Sequence, residues 1–160
     1  MLIKNIIEED FCNYFKPSMF IIFPRCSFKC DKEAGCTVCQ NSTLTNEPDI
    51  EISAEKIVAK YINNPITHAI VFGGLEPIDS EIELVSLILL FRNYTEDDIV
   101  IYTGYTEEEL TNNPVYKSII NNFTNIIIKF GRYIPNQEKH YDETLGVELA
   151  SPNQYARRVS

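Results

Sequence analysis

The sequence predicts an α/β fold built on parallel strands. Short apolar segments of strand length alternate with longer segments whose apolar residues recur at helical spacing. This alternation of strand and helix is typical of parallel βαβ units. Cysteines and glycines directly follow the apolar segments, which is where the ligand sites of parallel sheets lie. A length of 160 residues suits one domain, so we expect a single domain over residues 1–160 with its core at about 19–154.

Four apolar runs are predicted to be the parallel strands. They are Met19 to Phe23, His68 to Phe72, Ile99 to Tyr102 and Asn125 to Lys129. Continuous apolar runs of this length, bounded by turn residues, fit strands that are buried on both faces. A shorter run, Val147 to Leu149, is expected to be a fifth strand.

Helices are predicted between these runs. Ser53 to Ile62 has a serine suited to cap its first turn, and Asn63 follows its end. Ser80 to Arg92 and Thr106 to Leu110 each begin with a Ser/Thr followed three residues later by Glu, the spacing of a capping box. A further short helical piece is expected after Pro114.

The charge balance excludes two classes of partner. The chain has 14 Lys+Arg against 23 Asp+Glu, a formal net charge of -9. Such an acidic domain repels nucleic acid and anionic membrane surfaces, so we expect neither as a partner. No apolar run approaches the roughly 20 residues that cross a bilayer. The acidic N-terminal segment does not look like a signal peptide, and we expect a cytoplasmic protein.

A cysteine loop follows the first predicted strand. Cys26, Cys30, Cys36 and Cys39 lie close together, and Cys12 stands apart and is expected to be a small buried residue. Clustered thiolates select zinc or an iron–sulfur cluster. A structural zinc site usually supports a domain that lacks its own core. Since this chain has strands and helices enough for a core, and the loop follows a buried strand, the pattern favours an iron–sulfur cluster.

Glycine-containing turns follow the next strands. Gly73-Gly74-Leu75-Glu76-Pro77 ends the second predicted strand, and Thr103-Gly104 ends the third. Glycines allow a backbone to approach a ligand closely, and Glu76 could hold an ammonium group. Each turn alone fits an ordinary strand-to-helix connection equally well. Beside the cysteine loop, they predict one ligand site at the carboxyl ends of the strands.

Together, the cysteine loop and Gly73-Gly74-Leu75-Glu76-Pro77 resemble the radical S-adenosylmethionine superfamily. That family carries a C-x3-C-x2-C motif after the first strand, which supplies three thiolates to a [4Fe–4S] cluster. The fourth iron is open to S-adenosylmethionine, whose amino group binds a GGE-P motif. The resemblance implies a partial (β/α) barrel of parallel strands with the cluster loop after the first strand. It implies no catalytic side chain beyond those that hold cluster and cofactor.

The resemblance also implies which residues bind. The cofactor-binding residues would be Val38, Gly73, Gly74, Glu76, Pro77, Thr103 and Gly104. The cysteine spacing departs from the family motif, because the later cysteines follow Cys30 by six and nine positions. The favoured ligands are Cys26, Cys30 and Cys39, with Asp31 to Val38 as an insertion. Cys36 is the alternative to Cys30.

Within the superfamily the chain most resembles the activating enzymes of anaerobic (class III) ribonucleotide reductases. The similar elements are Tyr102 to Tyr105, Phe130 to Tyr133 and Ala150 to Gln154. The second of these lacks the acidic residue of the family's D-G-P-F turn. The resemblance implies that reduced flavodoxin or ferredoxin donates an electron. S-adenosylmethionine is then cleaved to methionine and a 5′-deoxyadenosyl radical, which takes a hydrogen atom from a glycine of a partner glycyl radical enzyme.

Two other functions stay open at this point. One is a small radical S-adenosylmethionine enzyme that modifies a peptide or a metabolite. The other is a zinc-stapled interaction module without catalysis. The polar tail Tyr155 to Ser160 is expected either to be disordered or to dock a partner.

Overall fold

Four parallel strands form the centre of the protein. The computed structural model describes residues 1–160. The central strands are β3 (Ser18–Phe23), β5 (Ala69–Gly74), β6 (Asp98–Tyr102) and β7 (Ile126–Phe130), and neighbouring ones pair in parallel. These are the four predicted strands, shifted at their ends by a residue or two. The mixed α/β class predicted from the sequence is therefore confirmed.

Both edges of the sheet are antiparallel and were not predicted. β2 (Asn5–Asp10) pairs with β3, and β10 (Tyr155–Arg158) pairs with β7. The six strands lie in the order β10-β7-β6-β5-β3-β2, so the sheet is open and mixed rather than wholly parallel. The expectation of a disordered tail is wrong for residues 155–158, because their backbone completes the hydrogen-bonding edge of β7.

Two small ladders lie outside the main sheet. β1 (Leu2–Ile3) pairs with β4 (Ile50–Glu51), and β8 (His140–Asp142) pairs with β9 (Val147–Leu149), both antiparallel. β9 is the predicted fifth strand. It is present, but it belongs to this hairpin and not to the central sheet.

Helices cover one face of the sheet. They are α2 (Ala54–Ile62), α3 (Glu81–Arg92), α4 (Glu107–Leu110) and α5 (Pro114–Asn122). A further short helix, α1 (Lys29–Ala34), lies in the cysteine loop. Alternate strand residues such as Ile21, Phe72 and Ile101 join residues of α2, α3 and α5 in one apolar cluster. No helix combines the length and the apolar character needed to cross a membrane.

The helix starts confirm two of the three predicted caps. The Ser53 side chain accepts a hydrogen bond from the Lys56 N–H, and Thr106 and Glu109 form a reciprocal capping box. The capping box predicted at Ser80 is wrong, since its side chain makes no cap hydrogen bond. A 3-10 turn, Pro77–Asp79, leads directly into α3, and the Glu83 side chain faces Arg25 at 3.7 Å instead.

The lone cysteine of the N-terminal region is exposed. Cys12 lies in the turn after β2, where the Asp10 carboxylate accepts hydrogen bonds from the backbone N–H groups of Cys12 and Asn13. The prediction that Cys12 is a buried small residue is therefore wrong. The turn's backbone, held by a polar side chain, directs the thiol to solvent.

Candidate metal and cofactor site

A cavity of 420 Å³ opens at the carboxyl ends of the four parallel strands. Its wall includes thiols from the cysteine loop (residues 26–39) and side chains from the ends of β5, β6 and β7. It lies on the sheet face opposite the main helices, because its strand residues Phe20, Tyr102 and Lys129 alternate with those of the helix-covered core. A larger depression of 580 Å³ lies between β2 and α2, but it holds no cysteine.

Three of the four loop cysteines line this cavity. Cys26, Cys30 and Cys39 belong to its wall. Cys36 does not: it is exposed, and its Sγ lies 3.7 Å from the Ala34 carbonyl oxygen. The short helix α1 explains why Cys30 and Cys36 differ. Cys30 lies within α1, whereas Cys36 follows Gly35, whose left-handed backbone ends the helix and leads the chain outward.

Hydrogen bonds hold the cysteine loop against the strand ends. The Asp31 carboxylate accepts from the N–H groups of Val38 and Cys39, both at 2.8 Å. The Asn41 side-chain amide donates to the Gly74 carbonyl at 2.7 Å. Asp79 accepts from the Ser27 N–H at 2.6 Å. Asp31 therefore closes the loop on itself, whereas the Ser27 and Asn41 contacts attach its beginning and the residues just after it to the end of β5 and the turn that follows.

Two of the three cavity thiols, those of Cys26 and Cys39, have raised pKa values. Burial raises the pKa of the Cys26 thiol to about 12, although the Phe28 N–H donates to its sulfur at 3.2 Å. Burial likewise raises the pKa of Cys39. Metal binding must therefore displace protons, as it does at thiolate sites generally.

The donor set suits an iron–sulfur cluster. No group of three or more His, Cys, Asp or Glu side chains converges closely enough to hold one metal ion. Three thiols spread around one cavity wall suit a larger iron–sulfur cluster, whose metals are ligated by separate cysteines. With three thiolates, one iron of a four-iron cluster would have no cysteine ligand.

Glu76 is the buried carboxylate of the cavity. Its Oε1 accepts from the Ile78 N–H at 3.1 Å and its Oε2 from the Gly104 N–H at 2.8 Å. Burial raises the pKa of Glu76 to about 7, because desolvation outweighs these hydrogen bonds to the charged form. The backbone thus orients the carboxylate, and a cationic ligand beside it would stabilise its charged form.

The glycines at the end of β5 serve packing as well as access. Gly74 has φ +84°, and a Cβ there would lie 2.3 Å from Ile22 Cγ2. A Cβ at Gly73 would lie 2.9 Å from the Phe20 ring. Gly74 therefore requires glycine because β3 packs closely against β5, whereas a side chain at Gly73 would have to displace the Phe20 ring. Gly74 also lines the cavity, whereas Gly73 does not.

The predicted cofactor residues divide into two groups. Gly74, Glu76, Thr103 and Gly104 line the cavity. Val38, Gly73 and Pro77 do not: the backbone of Val38 supports Asp31, and Pro77 is buried at the start of the 3-10 turn. Gly104 lies at the centre, since a Cβ there would be 3.6 Å from Glu76 Oε2 and 3.8 Å from Cys30 Sγ.

Sequence reasoning missed Lys129 as a site residue. Lys129 is 6% exposed, lines the cavity and donates to the Gly131 carbonyl at 2.7 Å. The available signal was a charged residue inside a strand that is otherwise apolar. Gln154 also lines the cavity and bridges the Ala150 N–H to the Gly131 carbonyl.

An ion-pair network joins the cysteine loop to the turn after β7. Arg132 donates to both carboxylate oxygens of Glu109, at 2.9 and 2.6 Å, and reaches Glu33 of α1 at 3.0 Å. Lys29 of α1 also pairs with Glu109, at 3.0 Å. These contacts attach α1 to α4 and to the sheet, outside the cavity.

Comparison with known proteins agrees with this donor set. Residues 18–154 match the model of a family described as a 4Fe-4S single cluster domain. No curated protein and no solved structure matches the chain. The matched segment begins with β3 and includes the whole cysteine loop and all four parallel strands. The chain therefore belongs to the 4Fe-4S single cluster domain family.

Proposed function

We propose that this protein is a radical S-adenosylmethionine enzyme. Cys26, Cys30 and Cys39 hold a [4Fe–4S] cluster, and S-adenosylmethionine binds beside it. The observation that carries the proposal is that these three thiols and the buried carboxylate of Glu76 line one cavity at the carboxyl ends of parallel strands. Three thiolates leave one iron available to a second ligand, and an oriented carboxylate suits the ammonium of that ligand.

The side chains have distinct roles in this proposal. When bound, the cluster supplies the electron for reductive cleavage of S-adenosylmethionine. Glu76 accepts from the methionine ammonium, which favours its charged form and lowers its pKa. Gly104 leaves space next to Glu76 and Cys30, where a side chain would narrow the cavity. Asp31 and Asn41 keep the loop closed over the site, as supporting residues do at metal centres.

The proposed fold is a partial (β/α) barrel of the radical S-adenosylmethionine type. Four parallel strands with helices on one face and a cavity on the other support this assignment. The sheet stays open at β2 and β10 and encloses no full barrel. Such a shallow site suits a substrate that is part of a macromolecule.

We further propose that the substrate is a glycine of an anaerobic ribonucleotide reductase. Reduced flavodoxin or ferredoxin would be the electron donor. The support comes from two elements that resemble the activating enzymes of these reductases. Tyr102, Thr103 and Gly104 of the element Tyr102 to Tyr105 line the cavity, and so does Gln154 of the element Ala150 to Gln154.

Anaerobic purification and reconstitution test the cofactor assignment. We expect a brown protein with about four irons, which dithionite bleaches and which then forms 5′-deoxyadenosine from S-adenosylmethionine. Cys26→Ser, Cys30→Ser and Cys39→Ser should each lose cluster and product. Cys36→Ser, the matched control, should retain both. A colourless protein that holds one zinc and loses it in Cys36→Ser would instead establish the zinc-stapled module.

Electron paramagnetic resonance tests the substrate. The reduced protein is mixed with S-adenosylmethionine and an anaerobic ribonucleotide reductase, and a glycyl radical signal on the reductase is expected. Substitution of the reductase's radical glycine by alanine is the control and should abolish the signal. Formation of 5′-deoxyadenosine without any glycyl radical would favour the alternative, an enzyme that acts on a peptide or a metabolite.

A further inference from the structure

Phe28, in the cysteine loop, has a backbone conformation that its side chain disfavours. Seven residues of the chain have a positive φ, of which four are glycine and two are asparagine, the residues that tolerate it. Phe28 is the seventh, with φ 51° and ψ 47° in the left-handed region. A bulky side chain strains the backbone there, so the surrounding structure must hold this residue in place.

Apolar packing does not supply that support. Phe28 is half-buried, and it neither belongs to the apolar clusters on the two sheet faces nor packs against them. Its peptide group is used instead, because the Phe28 N–H donates to the Cys26 sulfur at 3.2 Å. This hydrogen bond favours the thiolate and opposes the effect of burial on the pKa of Cys26. The strained conformation thus places a backbone donor on a thiol of the cavity.

The turn after β5 holds the chain on both sides of Cys26. The Glu76 N–H donates to the Arg25 carbonyl at 2.7 Å. The Ser27 N–H donates to the Asp79 carboxylate at 2.6 Å. The backbone around this thiol is therefore fixed by a main-chain contact before it and a side-chain contact after it.

The Asp79 carboxylate is itself held in position. Its other oxygen accepts from the Tyr105 hydroxyl at 2.7 Å, and its backbone N–H donates to the Glu76 carbonyl at 3.1 Å. One carboxylate oxygen thus binds the cysteine loop, and the other binds the segment after β6. A carboxylate that only kept the turn in contact with water would need neither partner.

We infer that Asp79 is a positioning residue for the iron–sulfur cluster: it holds the backbone of residues 27 and 28 so that the strained Phe28 keeps its N–H on the Cys26 sulfur. Hydrogen bonds to ligating sulfurs favour the more negative, reduced form of a cluster and so raise its reduction potential. Asp79 acts through Phe28 in this assignment and takes no part in the reaction. The inference rests on the cluster of the proposed function but not on S-adenosylmethionine.

Two substitutions of Asp79 separate positioning from charge. Asp79→Asn removes the negative charge but keeps an acceptor for the Ser27 N–H, whereas Asp79→Ala removes both. Loss of the charge alone raises the reduction potential, because the reduced cluster is the more negative form. Loss of the positioning lowers it. Redox titration of the reconstituted proteins, followed by electron paramagnetic resonance, should therefore give Asp79→Ala a lower potential than Asp79→Asn. The expected difference is about tenfold in the reduction equilibrium, or about 59 mV for one electron, the size of one lost hydrogen bond to a charged group.

A substitution of Phe28 tests the role of the strain. Phe28→Gly keeps the N–H and adopts the left-handed conformation without a steric penalty. Added to Asp79→Ala, it should restore part of the lost potential, because glycine needs less support from Asp79. Alone, it should leave the potential close to that of the wild type.

Amide hydrogen exchange in the cofactor-free protein gives a measurement that does not depend on the cluster. The amides of Ser27 and Phe28 should exchange faster in Asp79→Ala than in Asp79→Asn, because only the alanine variant frees this part of the loop. This comparison decides the matter even if Asp79→Ala takes up no iron.

Three results would overturn the inference. In the first, Asp79→Ala and Asp79→Asn have equal potentials, so that Asp79 acts only through its charge. In the second, the potential falls in Asp79→Ala but Phe28→Gly recovers none of it. In the third, the amides of residues 27 and 28 exchange at the same rate in both variants.

Failure of the proposed function would look different. A wild type that holds the cluster and shows these shifts, but forms no 5′-deoxyadenosine, would refute the radical S-adenosylmethionine assignment and support the role of Asp79. A wild type that takes up no iron would refute the cluster site, and the inference with it.

Discussion

The two faces of the central sheet have different chemistry. The helix-covered face contributes to an apolar cluster of 23 buried residues, among them Phe23, Phe72 and Phe91. The opposite face contributes to a cluster of only 8 buried residues. Beyond that smaller cluster, the second face opens into the cavity with Glu76 and Lys129.

This difference separates stability from binding. Apolar burial on the helix-covered face stabilises the fold roughly in proportion to the area removed from water. On the cavity face, the burial of charged groups opposes folding unless hydrogen bonds compensate for it. Glu76 has such compensation from two backbone N–H groups, and Lys129 has it from one carbonyl. The cavity face can therefore carry buried charged groups because the helix-covered face stabilises the sheet.

The largest effect on stability is expected on the helix-covered face. Phe91 is fully buried in α3, and its ring lies 5.5 Å from that of Tyr61 and 6.2 Å from that of Phe72, centroid to centroid. Phe91→Ala should lower the free energy of unfolding by about 3–5 kcal/mol, measured by chemical denaturation. Leu89→Ala in the same helix is the control: Leu89 is 56% exposed, so its change should stay within about 0.5 kcal/mol. Equal losses in both variants would contradict the assignment of the core face.

A second effect should appear as a pH dependence of the cofactor-free protein. The pKa of Glu76 rises from 4.5 to about 7 on folding. The folded state therefore holds this proton more tightly, and the resulting stability is present below pH 4.5 and is lost as the pH rises to about 7. Lys129 and the thiols of Cys26 and Cys39 have pKa values above this interval.

Denaturation at several pH values measures this effect. The free energy of unfolding of the wild type should fall by about 3 kcal/mol between pH 4.5 and 7 through Glu76. Glu76→Gln keeps the shape of the side chain but cannot titrate, so its curve should lack this contribution. Parallel pH curves for the two proteins would show that Glu76 does not titrate in this range.

A smaller effect is expected from the ion pairs that attach α1 of the cysteine loop to α4 and to the turn after β7. The Arg132 side chain is 9% exposed and binds both oxygens of Glu109. Arg132→Met should lower stability by about 1–2 kcal/mol and speed amide hydrogen exchange in α1. Lys60→Met is the control, because the Lys60–Glu8 pair is exposed on both sides and such pairs contribute about 0–1 kcal/mol. Unchanged exchange in α1 would show that the loop is held by its other contacts.

The smallest effect is expected at Cys36. This thiol is exposed and lies outside the cavity. Cys36→Ser should change the free energy of unfolding of the cofactor-free protein by less than about 0.5 kcal/mol, which thermal denaturation would show as a nearly unchanged midpoint. A clear destabilisation would show that Cys36 has a structural role that its exposed position does not reveal.

Much of the helix-covered face could be predicted from the sequence. The four parallel strands are continuous apolar runs, and the start of α2 has a serine whose side chain caps it as expected. These signals are local, since a run of apolar residues or a capping side chain acts within one turn or one strand. The cap of α3 was predicted wrongly because a 3-10 turn, rather than the Ser80 side chain, precedes the first turn of that helix.

The sheet edges could not be predicted in the same way. β2 ends in three acidic residues, two of which are exposed, and β10 is mostly polar, so neither has the pattern of a buried strand. The strand conformation of β2 depends on pairing with β3, and that of β10 depends on pairing with β7. β7 lies well before β10 along the chain, so this second pairing is not a local signal. Edge strands need such a partner more than they need apolar residues of their own.

Residue types and their spacing were enough to predict an α/β core and a loop of thiols and glycines able to hold a soft metal cluster. The folded structure was needed to show that Cys26, Cys30 and Cys39 line the cavity with Glu76 while Cys36 faces solvent. It was also needed to show that Lys129 is buried in the same cavity wall as that carboxylate. The reason is physical: residue type and spacing encode local conformation, whereas burial and the meeting of charges depend on how strands distant in sequence pack together.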